Sequence, residues 1–561
     1  MNPVVVPSIS LAGSLLVPVA ALKSRRAVEI FSVLVSASAA FLSIYFLATF
    51  GEPQVIGPFS SHISFYIDNL SLFMLTVVNC LGALIIFYSV GYMAHDKNYT
   101  RYYFLMLLFV GSMSGLVLAG DLVLLYIFWE MVGICSALLI AFWWEKPEAR
   151  RAGLKAFAVT RIGDFAMLIG IALIYVTSGT TSIPELLDAK LPVSLIYTAS
   201  LMLFIGAIGK SAQFPLFVWL PDAMEGPTSV SALIHAATMV KAGVYLVARI
   251  YPWIEAAPGL PSIILWVAII TVLISGFSAL ASNDIKRVLA YSTINHLALM
   301  FLALSLGGWA YAQLHLLSHS LFKALLFLAT GIVVHEVGTR DMGQMGGLLS
   351  GGMKITAACF LVGALSLAGI PPLPGFTTKE HVLELLEESL PSYAAAPLVF
   401  TISLTSALYI FRVFFKVFWG EPRKSYSERN VYMLAPIAAL AAVTLVGDAL
   451  LIQASKYFGL ELELFVASLP AMLGTVLGVL GAYALWVENY AAKVAKSLSW
   501  AVKAAEEGFY FDAVYTKVAA FVAGKVSSVA VRIQSGVPSV NMLWLLAYML
   551  ALLFVALMVV I

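Results

Sequence analysis

Apolar residues run along this chain in stretches of about 20, separated by short polar or Pro- and Gly-bearing segments, and the pattern persists from Val4 to Ile561. A stretch of that length is what an α-helix needs to cross a bilayer, where every backbone amide must be satisfied within the segment. The pattern predicts sixteen spanning helices, at 4–22, 28–50, 70–94, 102–119, 121–143, 154–177, 195–220, 229–250, 262–281, 287–306, 310–335, 355–390, 394–418, 431–453, 466–488 and 541–561. The seventh and twelfth are overlong and interrupted, by Gly209-Lys210-Ser211-Ala212-Gln213-Phe214-Pro215 and by Gly369-Ile370-Pro371-Pro372-Leu373-Pro374-Gly375 with Lys379 beyond. Proline removes a backbone donor and ends the helix, which a membrane tolerates only where protein or a wet cavity satisfies the freed groups.

Two matched breaks five helices apart predict two five-helix repeats, residues 101–250 (helices 4–8) and 262–420 (helices 9–13). An odd number of crossings per copy makes them inverted in the membrane. Helices 1–3 precede them in 1–100, helices 14 and 15 follow in 431–488, and 541–561 forms a C-terminal anchor. Residues 489–535 differ, mixing Lys with Ala and Val. Val514, Val518, Phe521, Val522, Val526, Val529 and Ile533 recur at helical spacing, which predicts an amphipathic helix lying along the interface. If continuous it is ~70 Å long at ~1.5 Å per residue, with Gly508, Gly524 and Gly536 as places for breaks. The fold class is therefore an all-α, polytopic membrane protein.

Charge supports this count. With the N-terminus outside, the loops after odd-numbered helices carry the basic clusters at 23–26, 97–101, 146–155, 286–287, 340–354 and 416–429, whereas the opposite loops carry only Lys190, Arg249 and Lys456. An error of one helix would scramble that separation, and cytoplasmic loops are the Lys- and Arg-rich ones. Composition excludes the soluble classes: 61% hydrophobic, 11% charged and a mean hydropathy of +0.96 leave too little polar surface to face water. A net charge of +2 gives no reason to expect nucleic acid, and Cys80, Cys135 and Cys359 stand alone in apolar runs as packing residues. The N-terminus lacks a secretory signal pattern, so the first helix is expected to be retained.

A charge inside the bilayer costs ~2.5 kcal/mol or more, so each intramembrane ionisable residue is a functional candidate. They form a series: Glu130 in helix 5, Asp164 one turn after Arg161 in helix 6, Lys210 at the first break, and His235 with Lys241 in helix 8. Helix 11 adds His315, His319 and Lys323, whose spacing of four and four sets them on one face, and Lys379 ends the series. A lysine in low dielectric loses its proton more readily and a nearby carboxylate opposes this, so moving one partner loads or releases a proton. Glu130 with Lys210 is the expected switch, Lys323 a central relay, His235, His315 and His319 proton carriers, and Lys379 the exit group. Simpler readings stand beside these. Arg161, Arg412 and Lys241 also fit snorkelling at helix ends, and His296 fits a packing hydrogen bond. His62, His95 and His381 are expected in loops or at helix ends. His315 and His319 have metal-ligand spacing but no third ligand, and Gly347 to Lys354 resembles a phosphate loop with Met353 where Lys belongs.

The stretches FWEMVGICSALLIAF (128–142), GKSAQFPLFVWLPDAMEGPTSVSALIHAATMVKAGVYLVAR (209–249), NDIKRVLAYSTINHLALMFLAL (283–304) and HLLSHSLFKALLFLATG (315–331) resemble the proton-translocating membrane subunits of NADH–quinone oxidoreductase. The same family includes the Mrp-type Na⁺/H⁺ antiporters. The resemblance covers roughly residues 60–420 and implies inverted repeats with broken helices 7 and 12, a helix 5 glutamate at Glu130, a helix 7 lysine at Lys210 and a central lysine at Lys323. Lysine at position 379 is similar to the distal, L-type (chain 5) subunit or the large Mrp subunit, and GFYFDAVYTKV (508–518) resembles the lead into the L-type lateral helix. Lys241 departs towards Mrp and hydrogenase-linked relatives, and the lateral segment is shorter than in bacterial complex I. The resemblance implies an ion-pumping subunit with no cofactor of its own, whose iron–sulfur clusters, flavin and quinone sit in partner subunits. Its partners would be other antiporter-like and small membrane-arm subunits, its cargo H⁺ with Na⁺ as the alternative, and its place a prokaryotic or equivalent energy-coupling membrane. A secondary antiporter is the competing reading.

Overall fold

A computed structural model describes residues 2–533 other than 61, 62, 465, 489 and 491–495, and beyond these only positions 542, 543, 546 and 549. His62 and nearly all of the expected last span therefore lie outside the described residues. The chain opens with α1 (Val5–Ala21) and α2 (Arg25–Thr49). An antiparallel hairpin of β1 (Gln54–Ser60) and β2 (Ile63–Ile67) follows, which the all-helical expectation did not contain. Next come α3 (Asn69–Tyr92), α4 (Tyr99–Leu118), α5 (Leu122–Ile140), α6 (Pro147–Ser178), the short α7 (Ile183–Asp188) and α8 (Val193–Lys210). After a non-helical stretch lie α9 (Thr228–Ala236), α10 (Met239–Arg249), the short α11 (Tyr251–Ala256), α12 (Leu260–Ala281), α13 (Ile285–Ser305) and α14 (Trp309–Val337). The described bundle ends with α15 (Lys354–Ala368), α16 (Pro374–Ser389), α17 (Ser392–Phe418), α18 (Val431–Leu445), α19 (Gly447–Tyr457) and α20 (Leu469–Trp486).

Each expected span up to 466–488 contains at least one of these helices. Among the described residues 12 are long and apolar enough to cross a membrane, or 13 if α18 and α19, bent by 67° at Val446, count as one. The expected sixteen is not reached because α1 and α15 are short and the last span is not described. Aspartates start several helices: Asp68, Asp121 and Asp284 each accept hydrogen bonds from the free amides of α3, α5 and α13. The centre of the molecule is made by α9, α10, α13 and α14, whose residues are buried along nearly their whole length. By contrast α2, α6 and α20 present Leu34, Phe41, Phe165, Val176 and Leu480 outward, as lipid-facing helices must.

Both expected breaks are present, between α8 and α9 and between α15 and α16. A third was not foreseen: the eighth span breaks at Ala237 and Thr238, where Thr238 has φ −127° and ψ −118°. The Thr238 hydroxyl donates to the carbonyl of Leu233, replacing part of the lost ladder. The α15–α16 break depends on close backbone approach, since a Cβ on Gly375 would lie 1.7 Å from the carbonyl oxygen of Ser366. Gly375→Ala is therefore expected to destabilise the protein by about 1–3 kcal/mol, the cost of overpacking a well-filled site. Thermal unfolding in detergent checks this, and an unchanged midpoint would contradict it.

The chain divides into two compact units, Met1–Glu506 and Glu507–Ile561. The first holds all of the helices above and a further one at Ser499–Glu506. The second, taken by itself, contains the helix Phe511–Ile533, preceded by a turn in which Phe509 and Tyr510 are left-handed (φ 55° and 63°). The lateral segment is thus not one continuous helix: it breaks beside Gly508 and runs unbroken through Gly524. Val514, Val518, Phe521, Val522, Val526 and Val529 are exposed along it.

Candidate functional site

The first cluster forms where α8 ends. Lys210 is the last residue of α8, the end of a helix at which a cation is favoured. Its side chain is fully buried and its Nζ lies 3.0 Å from Asp164 Oδ2 on α6. Trp129 Nε1–H donates to Asp164 Oδ1 at 2.6 Å, so both carboxylate oxygens are engaged. Gly133 on α5 leaves the room for the ammonium, since a Cβ there would stand 2.5 Å from Nζ. Glu130, one turn earlier on α5, is instead ion-paired with Arg161. This corrects the expected Glu130–Lys210 pair. Arg161 and Asp164 both project from α6, and each takes the partner of opposite charge: Arg161 holds Glu130, leaving Asp164 for the lysine. Arg161 keeps a quarter of its side chain exposed.

The second cluster lies in α10, α13 and α14. Lys241 is fully buried, not snorkelling, and donates to the carbonyl of Leu316 at 3.1 Å and to Ser320 Oγ. Lys323 is fully buried too and donates to the carbonyl of Leu289 at 3.2 Å and to Ser292 Oγ. Neither has a carboxylate partner among the described residues. His235 sits against Phe327, one turn beyond Lys323 on α14, with ring centroids 4.6 Å apart. Both ring nitrogens of His235, and both of His319, lack hydrogen-bond partners among the described residues.

His315 belongs to a directed chain. Its Nε2 is 3.1 Å from His296 Nδ1, and its Nδ1 is 2.9 Å from Thr378 Oγ1. The Thr378 hydroxyl already donates to the carbonyl of Pro374, so it accepts from His315 Nδ1–H. A neutral His315 then accepts at Nε2 from His296 Nδ1–H, which leaves His296 Nε2 bare and unpartnered. His296, read from sequence as a packing residue, is therefore the head of the chain. Both ring nitrogens of His315 face protein groups, which also argues against the metal reading. Lys379, next to Thr378, is buried and donates to the carbonyl of Ala368 at 3.1 Å and to Ser406 Oγ at 2.7 Å. His381 is not at a helix end but buried within α16, bonded to the carbonyl of Glu463 at 2.8 Å.

One reading from sequence changes and one group was missed. Arg412 does not reach for water; it closes the C-terminal end of α12 by donating to the carbonyls of Leu280 and Ser282. On the basic side, Asp222 pairs with Lys155 and Arg287, both at 2.6 Å, and Arg340 pairs with Glu225 at 2.8 Å and Asp284 at 3.3 Å. Burial alone would weaken the hold of Arg340 on its proton, but Asp284 and Glu225 raise it above the ordinary guanidinium value. These pairs tie the segment between α8 and α9 to the start of α13. Nearby, a cavity of about 390 Å³ is lined by Tyr92, Asp96, Trp143 and His335. The Tyr92 hydroxyl donates to Thr228 Oγ1 at 3.2 Å, at the start of the helix that carries His235.

Comparison with known proteins identifies the family of this fold. Residues 119–405 match the transmembrane family described as NADH:quinone oxidoreductase/Mrp antiporter, and residues 54–103 match the N-terminal region of complex I chain 5. NAD(P)H-quinone oxidoreductase chain 5 of Synechocystis sp. is 43% identical over 393 residues, 66% of this chain and 57% of that protein. The chloroplastic subunit 5 of Lemna minor is 43% identical over 434 residues, 73% of this chain and 58% of that one. Matched regions thus span less than two thirds of these relatives' lengths. Among solved structures, a chain of the Mrp complex from Dietzia sp. superposes with a TM-score of 0.84 at 26% identity, over all of this chain and 63% of that one. A chain of an archaeal respiratory membrane complex, the membrane-bound sulfane sulfur reductase, shares the fold with a TM-score of 0.73 at 22% identity, over 86% of this chain and 99% of that one. With the bundle, the broken helices and the family match over half its length, the chain is a multi-pass membrane protein that belongs to the NADH:quinone oxidoreductase/Mrp antiporter transmembrane family.

Proposed function

We propose that this chain carries protons across the membrane as an antiporter-like, chain 5-type subunit of a multi-subunit redox-driven complex. The observation that supports it most is the run of buried lysines and histidines through the molecule: Lys210 with Asp164, Lys241, Lys323 beside His235, the His296–His315–Thr378 chain, and Lys379. Burying this many cations is expensive, and a packed core gains nothing from them that leucines would not supply. Proton uptake starts at the cavity beside Tyr92 and His335 on the basic side and release occurs beyond Lys379. Glu130 acts through Arg161, which it holds away from Asp164. The electron carriers, iron–sulfur clusters, flavin and quinone, reside in partner subunits, and this chain contributes no redox group.

Its 43% identity to named quinone oxidoreductase subunits favours the redox-driven reading over an antiporter. The likeness in fold to an Mrp chain supports the second reading, Na⁺/H⁺ exchange without an electron donor. Native purification in mild detergent, mass spectrometry of the retained companions and reconstitution into liposomes distinguish them. Iron–sulfur and quinone-site subunits, with acid accumulation on the side opposite the basic loops when a donor and a quinone are added, are expected. Companions without redox subunits, and acidification driven only by a Na⁺ gradient, would overturn the redox-driven reading.

A further inference from the structure

On α10, Lys241, Tyr245 and Arg249 follow one another at intervals of four residues, so they share one helix face and advance ~40° per step. All three are buried. The stripe starts at Lys241, held by Ser320 and the carbonyl of Leu316 in the centre of the bundle. One turn on, the Tyr245 hydroxyl donates to the carbonyl of Val117 at 2.5 Å and receives hydrogen bonds from Arg249 Nη2 at 2.7 Å and Nε at 3.2 Å. One turn further, the Arg249 guanidinium grips both oxygens of Asp68, the residue that caps α3. Asp68 and Arg249 then face a cavity of about 430 Å³ on the side opposite the basic loops, lined also by Tyr66, Tyr251, Trp309 and Phe458. Arg249, expected in a loop, is thus a buried residue that separates a central lysine from an outer cavity.

We propose that the Lys241–Tyr245–Arg249 stripe is a second outward proton route, distinct from the one ending at Lys379, and that the Arg249–Asp68 ion pair closes it. A fixed guanidinium in a narrow polar passage repels hydronium and other cations, and a bidentate carboxylate holds the guanidinium in place. With the pair closed, Lys241 exchanges protons only with the interior; when Arg249 swings away from Tyr245 towards the cavity, the freed Tyr245 hydroxyl turns from the carbonyl of Val117 to give its hydrogen to outer water and takes one from the Lys241 side. The route rests on the proton-carrying reading only in treating Lys241 as a proton-bearing group.

The test is passive. The complex, purified natively and reconstituted into liposomes with a trapped pH dye, is given a pH gradient with no electron donor and no Na⁺ gradient. The unmodified complex is expected to hold the gradient, whereas Arg249→Gln and the near-isosteric Asp68→Asn lose it about tenfold faster, the scale of removing one electrostatic barrier. Adding Lys241→Ala to Arg249→Gln is expected to restore the slow decay. Gradients held equally well by the assembled single variants, or a leak that survives Lys241→Ala, would overturn the route. Should neither single variant assemble, phenylglyoxal applied to the outer face of energised membranes decides the matter in the unmodified protein. Labelling of Arg249 during respiration but not at rest supports the opening, and labelling in neither state refutes it. Because the leak needs no turnover, an unaltered leak in Arg249→Gln and Asp68→Asn would refute the route, while loss of pumping in Lys323→Ala would still support the proton-carrying reading.

Discussion

Lys323→Ala is expected to stop proton pumping while the protein still folds and assembles. Lys323 is fully buried and, among the described residues, its ammonium is held only by Ser292 Oγ and the carbonyl of Leu289. A cation without a carboxylate partner at that depth carries a penalty that alanine removes, so stability should hold or rise. What disappears is the proton site between His235 and the histidine chain. Loss of a positioned proton carrier lowers a rate by roughly 10²–10⁴-fold, so acidification of reconstituted liposomes should fall to background. Normal pumping in an assembled Lys323→Ala complex would refute the central relay.

Asp164→Asn is expected to act in the opposite sense on stability. Lys210 and Asp164 are both almost fully inaccessible, and the carboxylate also accepts from Trp129. Removing one charge from such a buried pair strands the other and costs about 3–5 kcal/mol. Changing both, as Asp164→Asn with Lys210→Met, removes the stranded charge, and most of the stability should return while pumping does not. Thermal unfolding in detergent, paired with the liposome assay, separates the two effects. A double variant as unstable as the single one would mean that the pair matters for shape alone, and a double variant that pumps would remove Lys210 from the path.

The fold was legible in the sequence wherever the cause is local. Runs of apolar residues mark the spans, and proline next to glycine marks the breaks at 209–215 and 369–375. The break at Ala237 and Thr238 carries no proline or glycine; there the Thr238 hydroxyl and amide turn back to the carbonyl of Leu233, which the apolar pattern does not reveal. The hairpin at 54–67 is short and interrupted by Gly57 and Pro58, so it gives no alternating signal.

Site residues were legible by type and depth but not by partner. Sequence places Glu130 and Asp164 near the middle of spans, yet which of them meets Lys210 depends on where Arg161 points, a question of side-chain geometry between three helices. His296 showed no spacing signal because its partner, His315, is on another helix. Arg249 was placed outside by its position at the end of a span, and only the tertiary fold brings Asp68, at the start of α3, to it.

The directed chain from His296 to Thr378 sets a limit on traffic. A proton landing on the bare Nε2 of His296 moves onward by shifting each hydrogen along, from His296 to His315 and from His315 to Thr378, whose own hydroxyl hydrogen must turn from the carbonyl of Pro374 to pass beyond it. Afterwards both imidazoles carry their hydrogen on the opposite nitrogen, and the wire points backwards. A second proton from the His296 side does not find it set until both rings have turned, whereas one returning from the Thr378 side does. On the proposed proton-carrying reading the chain is a turnstile for outbound traffic, admitting one passenger per turn of the two rings.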